Sequence, residues 1–166
     1  MTTTITGALG IDNIKAATGS VLQVVHGSYG SSVDSTSNTY ADTGLTLNIT
    51  PSSTSSKVLV IVSHPEVGRI GSSAPSNTRL AIKLMRDSTD LTVMSSHTLD
   101  HVMSAQLSAG AGWIAMAGPS VTYLDSPSST SALTYKTQFR NATGNTNGVR
   151  ILGDAPSKIT LMEIAG

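Results

Sequence analysis

The chain predicts an all-β fold, a sandwich of short antiparallel strands, and three observations carry that reading. The first is the run Leu133 to Arg140, whose period is two: Leu133, Tyr135, Thr137 and Phe139 share one face. Thr134, Lys136, Gln138 and Arg140 fall on the other. The second is rhythm, because strand-like runs and turn signals recur at intervals of about ten residues. The third is the near absence of helical periodicity, so no strand–helix alternation points to a parallel α/β sheet.

The elements follow in order. Residues 1–18 stand apart, punctuated by Gly7 and Gly10 and closed by Gly19. Ile11 and Ile14 are spaced for a single helical turn, too short to be stable alone. This stretch is either a frayed terminus or an anchoring arm that docks Ile5, Leu9, Ile11 and Ile14 onto a partner. Val21 to Val25 opens a sandwich domain spanning residues 19–166. Leu45, Leu47 and Ile49 alternate and stop at Pro51. Lys57-Val58-Leu59-Val60-Ile61-Val62 follows a serine-rich turn and ends near Pro65.

Leu80, Ile82 and Leu84 alternate with Arg79, Ala81 and Lys83. Asp87-Ser88-Thr89-Asp90 reads as a hairpin turn into Leu91 to Met94. Trp113 to Ala117, Val121 to Leu124, Ala132 to Arg140, Val149 to Leu152 and Ile159 to Ile164 complete eight to ten strands. Such a series fits a sandwich or jelly roll.

Composition narrows the role. With 166 residues the chain suits one domain that buries roughly 70% of its unfolded surface. The formal net charge is zero, only 12% of residues are charged, and 47 are Ser or Thr, so the surface is neutral and hydroxyl-rich. The ten Lys and Arg are scattered, which argues against a nucleic-acid partner. Cysteine is absent, removing disulfides and thiolate metal sites. No apolar run approaches the roughly 20 residues that cross a bilayer, and Met1 to Thr6 lacks the pattern of a signal peptide. The expectation is a protein kept in the cytosol, or built into a particle assembled there, with no membrane partner.

Val58 to Val62 departs from the alternation of its neighbours, being apolar on both faces. A strand of that kind must be covered twice. One cover is the domain core; the other is either the domain's own loops or a subunit interface through Val58, Leu59, Val60, Ile61 and Val62. With aromatic residues at 4%, burial of a sheet face between copies favours a closed homo-oligomer.

Catalytic and metal chemistry find little footing. His97 and His101 lie four apart with Asp100 beside the second, a metal-pair spacing only on a helix, and otherwise a polar surface segment. His26 and His64 read as strand-end residues. Glu occurs only at Glu66 and Glu163, and the Asp residues are spread through turns, Asp125 before Ser126-Pro127 among them. No carboxylate pair, nucleophile elbow, phosphate loop or dinucleotide fingerprint is visible. No enzyme activity, catalytic residue, cofactor or metal is expected; a carbohydrate-active enzyme would need a carboxylate pair. Asn48-Ile49-Thr50 and Asn141-Ala142-Thr143 match a glycosylation pattern by chance. Trp113 is either a core residue or an exposed platform for a glycan or receptor.

Five segments carry a resemblance. Gly19 to Val25, Ile49 to Val60, Leu84 to Thr89, Tyr123 to Pro127 with Leu133 to Lys136, and Ile159 to Ile164 run in one order to the C-terminus. Together they resemble a family of phage virion structural proteins of the tail-fibre type. The resemblance implies a jelly-roll head similar to the tumour-necrosis-factor and C1q heads, assembled as a homotrimer, and it carries over no binding residues. It implies a particle-surface protein, the head of a short tail fibre or a tail-tip receptor-binding protein. The alternative is a decoration protein capping threefold positions of the capsid. The arm would then attach to a tail or major capsid protein, and the loops at the other end would face a host surface glycan.

Overall fold

The computed structural model describes residues 16–71, 78–98, 113–143 and 147–166. These form twelve strands: β1 Val21–Tyr29, β2 Val33–Ser35, β3 Ala41–Ile49, β4 Lys57–Ser63, β5 Glu66–Ile70 and β6 Arg79–Arg86, then β7 Thr89–Thr98, β8 Trp113–Ala117, β9 Ser120–Asp125, β10 Leu133–Asn141, β11 Gly148–Ile151 and β12 Ser157–Ile164. All pair antiparallel, in three four-stranded sheets ordered β1-β12-β4-β9, β3-β10-β6-β7 and β2-β11-β5-β8. The all-β reading holds, and the first two sheets pack face to face as a sandwich.

Alternation places the core. In β10, Leu133, Tyr135, Thr137 and Phe139 are all buried, and Lys136, Gln138 and Arg140 lie on the outer face, as the period of two requires. From the first sheet, Val58, Val60, Val62, Ile159 and Leu161 meet Leu45, Ile49, Leu84, Leu133 and Tyr135 of the second. A second apolar cluster joins Val67, Val149 and Ile151 of the third sheet to Leu80, Ile82 and Phe139.

The third sheet is the first sheet continued past a crease. β2 follows β1 after Gly30 to Ser32, and β5 follows β4 after His64-Pro65. β8 precedes β9 across Gly118-Pro119, and β11 precedes β12 across 152–156. The strand order is the same on both sides of the line. Proline and glycine interrupt the ladder there, yet His64 N–H donates to Pro119 O at 3.0 Å and Gly118 N–H to Pro65 O at 2.9 Å.

Several expectations are corrected. β2 and β5 went unread, because three residues are too few for periodicity and because β5 (Glu-Val-Gly-Arg-Ile) has no clean alternation. The run that ends near Pro65 resumes one residue later as β5. The β6–β7 turn is shorter than the four residues expected. Only Asp87 and Ser88 connect the strands, with Asp87 at φ 51° and its carboxylate accepting from Thr134 N–H at 3.0 Å. The strand sealed on both faces by its own chain is β6: Leu80, Ile82 and Leu84 face the core, and Ala81 and Met85 on the opposite face are also buried. In β4 the outer face remains partly open, with Ile61 38% exposed.

Candidate interaction surface

Register turns isolated apolar residues into a surface. On the outer side of the first sheet Val24 lies opposite Met162, Met162 opposite Leu59, and Leu59 opposite Leu124. One apolar row therefore crosses all four strands. Ile164 and Val21 extend it toward the chain ends. Val24 is 54% exposed and Leu124 50%. Contiguous apolar surface of this kind marks a contact with another molecule more often than scattered single residues do.

The face grades away from that row. The next row reads His26, Thr160, Ile61, Thr122, and the one after it Ser28, Lys158, Ser63, Ser120. Apolarity is thus concentrated at one end of the sandwich. At that end the segment before β1 and the segment after β12 are tied together by Gly19 N–H donating to Ala165 O at 2.7 Å. A shallow pocket lined by Ala16, Leu22, Ser52, Ser55, Ala165 and Gly166 opens there too. The connections 72–77, 99–112 and 144–146 begin and end at the opposite end, beside β8 and β11.

Of the residues expected at a subunit interface, Leu59 and Ile61 face outward on this surface. Val58, Val60 and Val62 point into the chain's own core and are fully buried, so they stiffen the face from beneath. Ile5, Leu9, Ile11 and Ile14 lie outside the described residues, as do Asp100 and His101. His97 sits in β7 opposite Leu80. Trp113 opens β8 opposite Ile70.

His26 is not at a strand end. It lies within β1, exposed, with Nδ1 2.9 Å from Thr160 Oγ1. His64 does close β4, but it is 0% exposed. Its Nδ1 is 2.8 Å from Ser157 Oγ and its Nε2 3.1 Å from Thr137 Oγ1. Thr137 Oγ1 continues to Thr43 Oγ1 at 2.6 Å. Thr43 stands at a bulge of β3, where Gly44 takes φ +89° and leaves room for the Tyr29 ring. His64 and Ser157 are residue types of an activated serine, but both are sealed from solvent.

Two carboxylates that sequence reading left in turns or unassigned are buried. Asp125 Oδ2 accepts from Tyr135 Oη–H and from Arg86 Nη1–H, each at 2.6 Å. Burial, then the neighbouring Asp125, pushes the Tyr135 phenol far above its ordinary pKa, so it remains the donor. Burial alone would raise the Glu163 carboxyl. Bonds from Gln23 Nε2, Ser52 N–H and Ser52 Oγ, each 2.7 Å, outweigh it and hold the pKa at about 2. Asn141, of the second glycosylation pattern, is fully buried and donates to Asn147 O at 2.6 Å. Among the described residues no group of three His, Cys, Asp or Glu is placed to hold a metal ion. No sequence signal marked Asp125 or Glu163, since their partners are 10 to 140 residues away.

The sequence matches no protein-family model and no curated protein. Two solved structures with which it shares some similarity are the infectious bursal disease virus VP2 subviral particle and infectious bursal disease virus Gt strain, each at 13% identity and a TM-score of 0.34. The matches cover 97% of this chain but 42% and 43% of those chains, so it spans less than half of either. At that identity and TM-score no ligand, partner or activity transfers.

Proposed function

We propose that the chain is a non-enzymatic structural protein of a phage particle, displayed at its surface as a homotrimer. The observation that carries this reading is the uncharged apolar row Val24, Met162, Leu59, Leu124 across the outer face of the first sheet. A closed ring of copies buries such a row without burying an unpaired charge, since the row carries none. The sheet orders β1-β12-β4-β9 and β3-β10-β6-β7 suit a jelly roll, and the five segments in series supply the resemblance to tail-fibre-type virion proteins.

The polarity of the sandwich supports a division of labour. Gly19, ahead of β1, lies at the end that carries the apolar row, and residues 1–18 would attach to a tail or capsid protein. The long connections start from the other end and would present to the host, as in the head of a short tail fibre. A capsid decoration protein would use the same polarity, and copy number separates the two: tens per particle for a fibre, hundreds for decoration.

Sedimentation of the purified chain at micromolar concentration is the direct test, with a trimer expected and a stable single-copy species fatal. Host-cell binding by the purified trimer, and its loss from particles when residues 1–18 are deleted, test the placement.

A further inference from the structure

His64 occupies a position that the surface role does not use. It lies on the crease between the first and third sheets, next to Pro65, where all four strands break. Its ring ties three pieces together: its own strand, β12 through Ser157, and the opposite sheet through Thr137. Thr137 stands between Tyr135 of one apolar cluster and Phe139 of the other. A polar band therefore divides the core along the crease, and among the described residues the third sheet is held to the second by the smaller cluster and, at its far edge, by Asn141 Nδ2 donating to Asn147 O.

We propose that His64 is a proton-operated latch: protonation of its imidazole releases β2, β5, β8 and β11 from the second sheet while the sandwich of the first two sheets stays closed. The neutral ring needs one donor and one acceptor, and the two rotatable hydroxyls supply them. The imidazolium donates from both nitrogens, which the hydroxyls can still accept, but its charge stays buried without a counter-ion.

Among the described residues the facing groups offer none. Ser157 of β12, Thr137 of β10 and Thr43 of β3 are uncharged. Arg69, in β5, is a cation and supplies no negative charge. Glu66 starts β5 two residues on and forms no hydrogen bond with the ring. Lys158, Lys136 and Asp42 are on outer faces, and Asp125 and Glu163 belong to the other end of the sandwich.

Burial holds the His64 pKa at about 4, against an ordinary 6.5. The sign follows. An opened, solvated His64 takes a proton below pH 6.5 and the closed one only near 4, so the closed form is fully favoured above pH 6.5. That advantage falls by roughly 100-fold as the pH drops from 7 to 4, and approaches a limit of about 300-fold below that.

Hydrogen exchange read by NMR on the full chain, corrected for intrinsic rates, tests the latch at pH 7 and pH 4. The expected result is a loss of protection of up to roughly 100-fold in β5 and β11, with β4, β12 and β10 unchanged. In His64→Gln, which keeps a polar group but cannot titrate in this range, that loss should vanish. Equal loss in all sheets, or the same loss in His64→Gln, overturns the proposal. Should His64→Gln not fold, ring titration of the unmodified protein decides: a pKa near 4 supports the latch and one near 6.5 overturns it.

Discussion

The two outer faces of the sandwich are built on the same inner chemistry and finished in opposite ways. The face of β3, β10, β6 and β7 is covered largely by its own charged and polar side chains, with Val93 of β7 left 61% exposed at its edge. Lys83 pairs with Asp90 at 2.7 Å and Lys136 with Asp42 at 3.0 Å. Gln138 Nε2 donates to Asp42 at 2.7 Å, and the Tyr40 ring has Lys83 at 4.4 Å and Arg140 at 4.7 Å. Burial pushes the Asp42 carboxyl up, but the bonds from Gln138 and Lys136 win and leave its pKa below the ordinary value. The apolar stems of these long side chains shade Ala81 and Met85.

The face of β1, β12, β4 and β9 has no such cover. Its central row is Val24, Met162, Leu59 and Leu124, and the nearest lysines, Lys57 and Lys158, stand outside that row. Water is a poor neighbour for that surface, at roughly 25 cal/mol for each Å² of apolar area. The contrast teaches that one side of this domain is largely finished with paired charges, while the other carries a bare apolar row of the kind that suits a contact.

The sharpest way to break the comparison is charge. Leu59→Arg should convert the assembly to single copies, read as sedimentation mass, with the circular dichroism of a folded β protein retained. Lys136→Glu on the opposite face should leave the mass unchanged. If both variants behave alike, the faces are not different in kind.

Neighbours in β12 sharpen it further. Leu161 is fully buried and Met162 faces outward. Leu161→Ala should lower unfolding free energy by about 2–5 kcal/mol in a denaturant titration. Met162→Ala should leave the isolated domain within about 1 kcal/mol and weaken association instead.

Glu163→Gln probes what lies beneath the apolar row. The native carboxylate has a depressed pKa, so its contribution is complete above pH 4.5 and disappears as pH falls toward 2. The variant should be less stable at pH 7, by roughly 2–3 kcal/mol, and should lose the acid dependence between pH 4.5 and 2. Melting temperatures across that range check both signs. The smallest effect is expected for Lys136→Ala, about 0.5 kcal/mol or less, because its exposed ion pair is screened.

Much of the fold was legible from local signals. The β10 alternation, the stop of β3 at Pro51 and the Asp87-Ser88 turn all rest on residues within a few positions of one another. β2 was too short to show a period. β5, with Gly68 and Arg69 in it, broke the alternation that reading relies on. The candidate surface was legible only in part: Leu59 and Ile61 lie in a run apolar on both faces, but that run cannot say which residues point inward. Val24, Leu124 and Met162 belong to three other strands, and no local pattern links them.

From the chain alone came the all-β class, the neutral hydroxyl-rich character and the suspicion that β4 needed a second cover, because periodicity and composition are properties of neighbours in sequence. Which side is bare, where the sheet creases and why His64, Asp125 and Glu163 are buried came from the tertiary structure. Those are decided by register and sheet packing, which bring together groups as far apart as Gln23 and Glu163, and pairing over such distances leaves no local trace in the sequence.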